Sequence, residues 1–137
     1  MNSDAEFETH AEAGKQDSWK TTSRGELEVG IPPEFDGDHE GLAPENLYAL
    51  SLTNCFVATF NAISKRSNLD FEKIEADGVL KVGEKDGETM MKKMNLEITL
   101  YSPENEDKAE VILQKTEENC WILNSVKTEL NIETEIK

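Results

Sequence analysis

The first part of the chain carries short stretches in which apolar and polar residues alternate, the pattern of half-buried β-strands. In Glu26–Ile31 the apolar residues fall on every second position, which predicts one such strand. Before it, the sequence predicts a frayed tail over residues 1–5 and a short strand from Glu6 that includes Phe7 and Thr9. A turn over residues 14–17 and a second short strand, Trp19–Thr22, follow.

A loop and then a long helix follow these strands. Pro32–Gly41 contains two prolines and two glycines, which disfavour regular structure. Pro44 and Glu45 suit the first turn of a helix, and the pattern predicts a helix from Pro44 to Ser67. Its apolar residues occupy nearly every face, which predicts burial all round. One chain of this size can hardly surround a helix of about 33 Å, so we predict that a second copy covers part of it, in a homodimer.

The second half of the chain predicts a hairpin, a helix and a last strand. Phe71–Val82 and Thr89–Tyr101 are predicted strands, and the Asp-Gly pair between them favours a tight turn. A second helix is predicted to begin within Ser102–Glu104 and to end within Glu118–Cys120. A final strand is predicted over Lys127–Ile136. This order of elements indicates an α+β fold, and the length indicates one domain over residues 6–137.

Charge excludes several partners. The chain has 29 acidic and 14 basic residues and a formal charge of −15, so phosphate backbones and anionic membrane surfaces would repel it. A surplus of acids also fits adaptation to salt.

The first residues lack the basic and apolar regions of a secretory signal, and no apolar run reaches the length of a membrane span. We therefore expect a soluble, cytoplasmic protein that binds neither nucleic acid nor membranes.

Two cysteines are the candidate chemistry. Cys55 and Cys120 stand 65 positions apart, and in a reducing compartment they are free thiols or a redox couple. Either can be a small buried hydrophobic residue. The histidines, His10 and His39, lack the paired spacing of zinc sites, so neither a metal nor another cofactor is expected.

A reactive thiolate needs a neighbouring cation, because the cation lowers the pKa of the thiol. The chain has two arginines. Arg24 precedes a glycine at the entrance of a strand, and Arg66 stands near the end of the long helix, where a solvated cation suits the helix dipole.

The motifs around both cysteines resemble one family. Pro44-Glu45-Asn46-Leu47, followed by Cys55-Phe56, is similar to the Pro-Glu-x-Leu … Cys-Phe signature of the OsmC/Ohr family, the osmotically inducible protein C and organic hydroperoxide resistance proteins. Pro32–Gly37 and Cys120–Ser125 extend the likeness, which covers roughly residues 19–136.

The resemblance implies an OsmC-like fold, with antiparallel sheets around a long central helix in an intertwined homodimer. It also implies a thiol-dependent peroxidase that reduces organic hydroperoxides and is recycled by a dithiol reductant. Cys55 would be the peroxidatic thiol, Cys120 the resolving thiol and Glu45 the glutamate at the helix start. Arg24 is the candidate for the family's arginine, with Lys15 as the alternative cation.

The spacing along the helix adds one inference. Glu45 and Cys55 lie ten residues apart, or about 15 Å in a helix, which is too far for a shared site within one helix. A shared site would therefore take Glu45 from a partner chain.

One departure from the family concerns Trp121, which stands where a proline normally follows the second cysteine and so changes the backbone and access at Cys120.

Two other functions stay open from the sequence. One is a dimeric protein that binds a small apolar ligand and uses both cysteines only for packing. The other is a redox sensor in which the Cys55–Cys120 disulfide changes a contact with a partner.

Overall fold

The structure is a computed structural model that describes residues 4–137. The chain divides into two compact units, the first ending at Leu47 and the second beginning at Tyr48. Residues 1–3 of the predicted tail lie outside the described residues. The single domain over residues 6–137 stays a prediction.

The first unit contains a three-stranded antiparallel sheet in the order β1-β2-β3. Its strands are β1 (His10–Glu12), β2 (Ser18–Thr22) and β3 (Glu26–Gly30). β2 and β3 confirm two of the predicted strands. The prediction of a strand that includes Phe7 and Thr9 was wrong. Thr22, the last residue of β2, pairs with His10, so the residues before His10 have no strand to pair with.

Helix α1 spans Pro44–Arg66, as the sequence predicted. In the single chain α1 buries only a stripe at every fourth residue and leaves its opposite face exposed, so burial all round, which was predicted with a second copy as part of the cover, stays a prediction. The buried stripe is Leu52, Phe56, Phe60 and Ser64, and exposed positions include Leu50, Asn54, Ala58 and Asn61. A single sheet can bury only one side of a helix. The exposed side of α1 can therefore be buried only against another element or another chain.

The second unit is built on a mixed sheet in the order β4-β5-β6, with strands β4 (Lys73–Lys85), β5 (Glu88–Tyr101) and β6 (Glu129–Ile136). β4 and β5 form the predicted antiparallel hairpin, in which Asp86 and Gly87 adopt the positive φ angles (53° and 84°) of a tight turn. β6 pairs parallel to β5, so an entirely antiparallel arrangement was wrong for this strand. Helix α2 separates the two parallel strands along the chain, as a crossover connection requires.

Helix α2 spans Glu106–Glu118 and begins a few residues later than predicted, because the Asn105 side chain caps it by accepting a hydrogen bond from the Lys108 backbone N–H (3.0 Å). The core lies between the helices and one face of β5, along which buried and more exposed residues alternate. The buried residues of β5 are Met94, Leu96, Ile98 and Leu100. α2 contributes Ala109, Ile112, Leu113 and Thr116.

One helix of residues 4–137, α1, is long and apolar enough to cross a membrane by length and composition. This is a weak indication, because the core helix of a soluble protein has the same composition. Phe60 of α1 packs edge-on against Phe71, with ring centroids 5.3 Å apart, inside the core of the second unit.

Candidate active site

The fold of the second unit brings the two cysteines together. Cys55 lies in the middle of α1, and Cys120 follows the last turn of α2. Both are free thiols, and Cys120 lies within interaction range of Cys55. The Cys120 thiol also donates a hydrogen bond to the Thr116 carbonyl oxygen, at 3.0 Å. Positions 65 residues apart in sequence therefore form one pair of adjacent thiols.

The two thiols differ in their access to solvent. Cys55 is half-buried and lines a surface groove, whereas Cys120 is completely buried and does not line it. Burial raises the pKa of Cys120 to about 11; the Thr59 hydroxyl opposes this increase, and nearby Cys55 and Glu117 add to it. At neutral pH Cys120 is therefore a protonated thiol, held behind a cysteine that a ligand in the groove can reach.

The groove runs along one face of α1 and has a volume of about 780 Å³. Alanine, isoleucine and tryptophan side chains give it a largely apolar lining, and its two charged residues, Arg66 and Lys115, are both basic. The lining residues are Ser51, Asn54, Cys55, Ala58, Thr59, Ala62, Ile63, Arg66, Ser67, Lys115, Asn119, Trp121 and Ile122. Phe56 and Phe60 of α1 do not line the groove, because both are buried in the core.

Trp121 accounts for much of the apolar surface beside the pair. Its side chain is 82% exposed and lines the groove immediately after the buried Cys120. A turn follows, in which the Asn124 N–H donates to the Cys120 carbonyl oxygen at 2.9 Å. The residue that replaces the family's proline thus contributes a wall of the groove.

Two residues of the site were missed in the sequence. Thr59 lies one turn after Cys55 on α1, and its hydroxyl lowers the pKa of Cys120. Arg66 lies three turns after Cys55 and lines the same groove, although its position at the helix end suggested a solvated cation. Their spacing of four and eleven residues from Cys55 places all three on one helix face, and this signal was present in the sequence.

The other predicted site residues belong to the first unit. Arg24 lies in the exposed connection between β2 and β3, with its guanidinium carbon 5.1 Å from the centroid of the Phe7 ring. Lys15 lies in the exposed connection between β1 and β2. Glu45 is half-buried in the first turn of α1.

Within residues 4–137, no group of three or more histidine, cysteine or acidic side chains is arranged to hold a metal ion. His39 is largely buried in the first unit, with its Nδ1 3.9 Å from a Glu28 carboxylate oxygen. His10 is exposed in β1.

The family model described as OsmC-like protein matches residues 37–135. The chain therefore belongs to the OsmC-like protein family, as the motifs around Cys55 and Cys120 indicated.

Individual relatives agree with this assignment. The uncharacterized protein YmaD of Bacillus subtilis (strain 168) is 27% identical over 135 residues, which cover 90% of this chain and 89% of that protein. Among solved structures, an OsmC-like protein of unknown function from Vibrio cholerae superposes with a TM-score of 0.83 at 19% identity, covering 97% of this chain and 99% of the other. The organic hydroperoxide resistance protein OhrB of Bacillus subtilis superposes with a TM-score of 0.64 at 21% identity, covering 97% and 98%. These likenesses show the fold.

Proposed function

We propose that this protein is a thiol-dependent peroxidase that reduces organic hydroperoxides through a Cys55–Cys120 redox couple. The observation that carries the proposal is the pairing of an accessible thiol, Cys55, with a buried thiol, Cys120, directly behind it. The names of similar structures, among them OhrB, agree with this chemistry.

The first step takes place in the groove. The Cys55 thiolate attacks the terminal oxygen of the hydroperoxide, an S–O bond forms and the O–O bond breaks. The alkoxide leaves, takes a proton from solvent and departs as an alcohol. Cys55 is oxidised by two electrons to a sulfenic acid, and the hydroperoxide is reduced by the same two electrons. The apolar lining favours organic hydroperoxides over hydrogen peroxide.

The second step uses the buried thiol. The sulfur of Cys120 attacks the Cys55 sulfenic acid, so that an S–S bond forms and the S–O bond breaks. The leaving hydroxide combines with the proton of the Cys120 thiol to give water. Because Cys120 is buried and its pKa is about 11, it is a poor target for peroxide and remains available for this step. An external dithiol then reduces the disulfide, is itself oxidised, and restores both thiols.

A second copy of the chain would complete the site. The exposed face of α1 carries Leu50, which is 47% exposed, together with small and polar residues, and it includes Asn54 and Ala58 of the groove lining. We infer that two copies pack through this face as a homodimer. In this dimer Arg24 stabilises the Cys55 thiolate, and Glu45, which the partner chain supplies, fixes the guanidinium by a bidentate ion pair.

The proposed location of the protein is a reducing cytoplasm, because the proposed catalytic cycle begins and ends with free thiols. Its charge of −15 disfavours nucleic acid and anionic lipid surfaces as partners. The partners proposed are a hydroperoxide, a dithiol and a second copy of the chain.

One rival function has support in the structure. An apolar groove of about 780 Å³ has the size of a small-molecule site, so a non-catalytic binding protein would also use it. A redox sensor would share the disulfide with the peroxidase but would not be recycled rapidly.

Thiol titration separates these functions. The reduced protein is treated with one equivalent of cumene hydroperoxide, and its free thiols are counted over time. We expect rapid loss of both thiols and repeated turnover when dithiothreitol is in excess. Unchanged thiols would support the binding protein, and oxidation without turnover would support the sensor.

Matched serine variants assign the roles. Cys55→Ser should consume no peroxide and keep its Cys120 thiol. Cys120→Ser should undergo one oxidation, to a sulfenic acid that dimedone traps, and should not form the intramolecular disulfide. The reverse pattern would contradict the assignment.

A further inference from the structure

A short segment, Cys120–Thr128, connects the end of α2 to the start of β6 and carries the buried thiol at its first residue. We call it the connecting segment. If extended, it could span about 26 Å, because an extended chain advances about 3.3 Å per residue. The segment is instead folded, with a turn of 3-10 helix over Leu123–Ser125. The length of the chain therefore does not fix its path, and its contacts must do so.

Both ends of the connecting segment contact α1. Cys120 lies within interaction range of Cys55, and Thr128 shares a hydrogen bond with Tyr48, with 2.6 Å between the two hydroxyl oxygens. Tyr48 and Cys55 are seven residues apart on α1, which is close to two helical turns, so both side chains leave the same face. The connecting segment thus follows about 10 Å of one helix face between two contact points.

The Tyr48–Thr128 hydrogen bond is shielded from water. Thr128 is only 6% exposed, and Tyr48 is half-buried against the core of the second unit. Loss of either partner would leave the other hydroxyl without this bond in a place that water reaches poorly. The other side-chain hydrogen bonds that the connecting segment makes within residues 4–137 go to α2 or stay inside the segment: Cys120 to Thr116, Asn124 to Glu118 and Ser125 to Trp121.

The position of the connecting segment matters for the second step of the proposed reaction. In that step the sulfur of Cys120 must move from contact with Cys55 to bonding distance, and a disulfide tolerates little variation in the separation of its two cysteines. A small misplacement of reacting groups costs rate even when its cause lies away from the chemistry. A segment that is free to move at its Thr128 end would hold Cys120 less firmly against α1.

We propose that Tyr48 and Thr128 are positioning residues, whose hydrogen bond holds the connecting segment on α1 and so keeps the Cys120 sulfur beside Cys55. Neither residue lines the groove, and neither takes part in making or breaking bonds. Without the hydrogen bond, the segment of the reduced protein gains freedom that closure of the disulfide must remove. This inference rests on the proposed function through its redox couple, but it does not require a hydroperoxide as the oxidant.

A glutathione redox buffer tests the positioning role without peroxide. Glutathione disulfide takes two electrons and two protons from the thiols and becomes two molecules of glutathione, while Cys55 and Cys120 form their disulfide. This equilibrium gives the effective concentration of one thiol at the other, which measures how well they are positioned. Thr128→Val keeps the shape of the side chain, loses the hydroxyl and should lower this value about three- to ten-fold. Thr128→Ser keeps the hydroxyl and should stay within about a factor of two of the wild type.

A double variant separates one shared hydrogen bond from two independent effects. Tyr48→Phe removes the other hydroxyl and should lower the effective concentration by about as much as Thr128→Val. The loss in Tyr48→Phe/Thr128→Val should be no larger than in either single variant, because all three lack the same hydrogen bond. Ser125→Ala loses a hydrogen bond inside the connecting segment and is the matched control, which should keep the wild-type value.

A pulse of cumene hydroperoxide shows which step depends on the pair. In Thr128→Val the first oxidation of Cys55 should keep its rate, whereas closure of the disulfide should slow about three- to ten-fold. A purely structural role would lower the free energy of unfolding in urea and leave the ratio of the two rates unchanged, and that result would overturn the inference. Because each single variant removes a different oxygen atom, either one that stays folded decides the question.

Wild-type effective concentrations in Tyr48→Phe and Thr128→Val would also overturn the inference. So would losses that add in the double variant, or an equal loss in Ser125→Ala. If the variants show the expected losses in glutathione but the wild type consumes no hydroperoxide, the peroxidase is refuted and the positioning role stands. If the wild type consumes hydroperoxide and neither variant loses effective concentration, the peroxidase stands and the positioning role is refuted.

Discussion

The Thr59 side chain acts on the buried Cys120 thiol from a position one turn after Cys55 on the same helix. Thr59 thus influences the thiol that lies behind the groove while it also lines the groove itself. Its hydroxyl favours the thiolate form of Cys120 and so lowers the pKa of that thiol, against the larger effect of burial.

Replacing Thr59 by valine should therefore slow the second step of the proposed reaction. Thr59→Val keeps the shape of the side chain and removes the hydroxyl, so the Cys120 thiolate loses a donor. We expect disulfide formation after a single peroxide pulse to slow about three- to ten-fold, with the first oxidation unchanged. Thr59→Ser keeps the hydroxyl and serves as the control. An unaltered rate in Thr59→Val would show that this hydroxyl does not assist the thiol.

The raised pKa of Cys120 predicts a loss of stability in alkali. A thiol whose pKa is near 9 in the unfolded chain and about 11 in the folded one contributes stability below pH 9 that is lost as the pH rises through 11. The loss should be about 2 to 3 kcal/mol in the free energy of unfolding of the reduced protein. Urea unfolding at pH 8, 10 and 11 measures it, and Cys120→Ala should lack this part of the pH dependence. Equal slopes in both proteins would contradict it.

Replacing Arg24, which lies in the first unit, tests whether it is the cation that assists Cys55. Arg24→Ala should lower the second-order rate of Cys55 oxidation by cumene hydroperoxide about ten- to a hundred-fold, because the thiolate loses a neighbouring positive charge. Lys15→Ala, also in an exposed connection between strands, should leave the rate within a factor of two, as the loss of a solvated charge would. A rate that falls in Lys15→Ala alone would assign the role to Lys15.

The exposed face of α1 predicts the homodimer. Leu50→Glu places a charge on the proposed interface and should shift the protein from dimer to monomer in sedimentation or size-exclusion measurements at micromolar concentration. Val111→Glu, at a position of α2 that is 52% exposed, is the matched control and should stay dimeric. A wild-type monomer would refute the interface.

Gly78 allows α1 to lie close to the sheet. A Cβ atom at this position of β4 would lie 2.5 Å from Cε of Met94 and 2.8 Å from Oγ1 of Thr53 on α1. Gly78→Ala should lower the free energy of unfolding by about 1 to 3 kcal/mol, because the helix or the Met94 side chain must shift. Gly83→Ala on the same strand meets only a Lys92 carbon at 3.8 Å, and thermal unfolding should show no loss for it.

Local features of this protein were predictable because short-range periodicity encodes them. The alternation in β5 fixed which of its residues face the core, and the Asp86-Gly87 pair fixed the hairpin turn. Pro44 and Glu45 marked the start of α1. Each of these depends on backbone preferences within a few residues, which the sequence contains directly.

The pairing of Cys55 with Cys120 was implied by family resemblance and could not follow from periodicity, since 65 residues of intervening chain decide it. The parallel direction of β6 and the one-sided burial of α1 also depended on how the elements pack. Arg66 illustrates the difference: its helical spacing from Cys55 is a property of the sequence, but its place in a groove exists only because the α2 end and Trp121 form the other wall. Side-chain faces are set locally, whereas surfaces shared by distant segments are set by packing, and the thiol pair and groove of this protein are of the second kind.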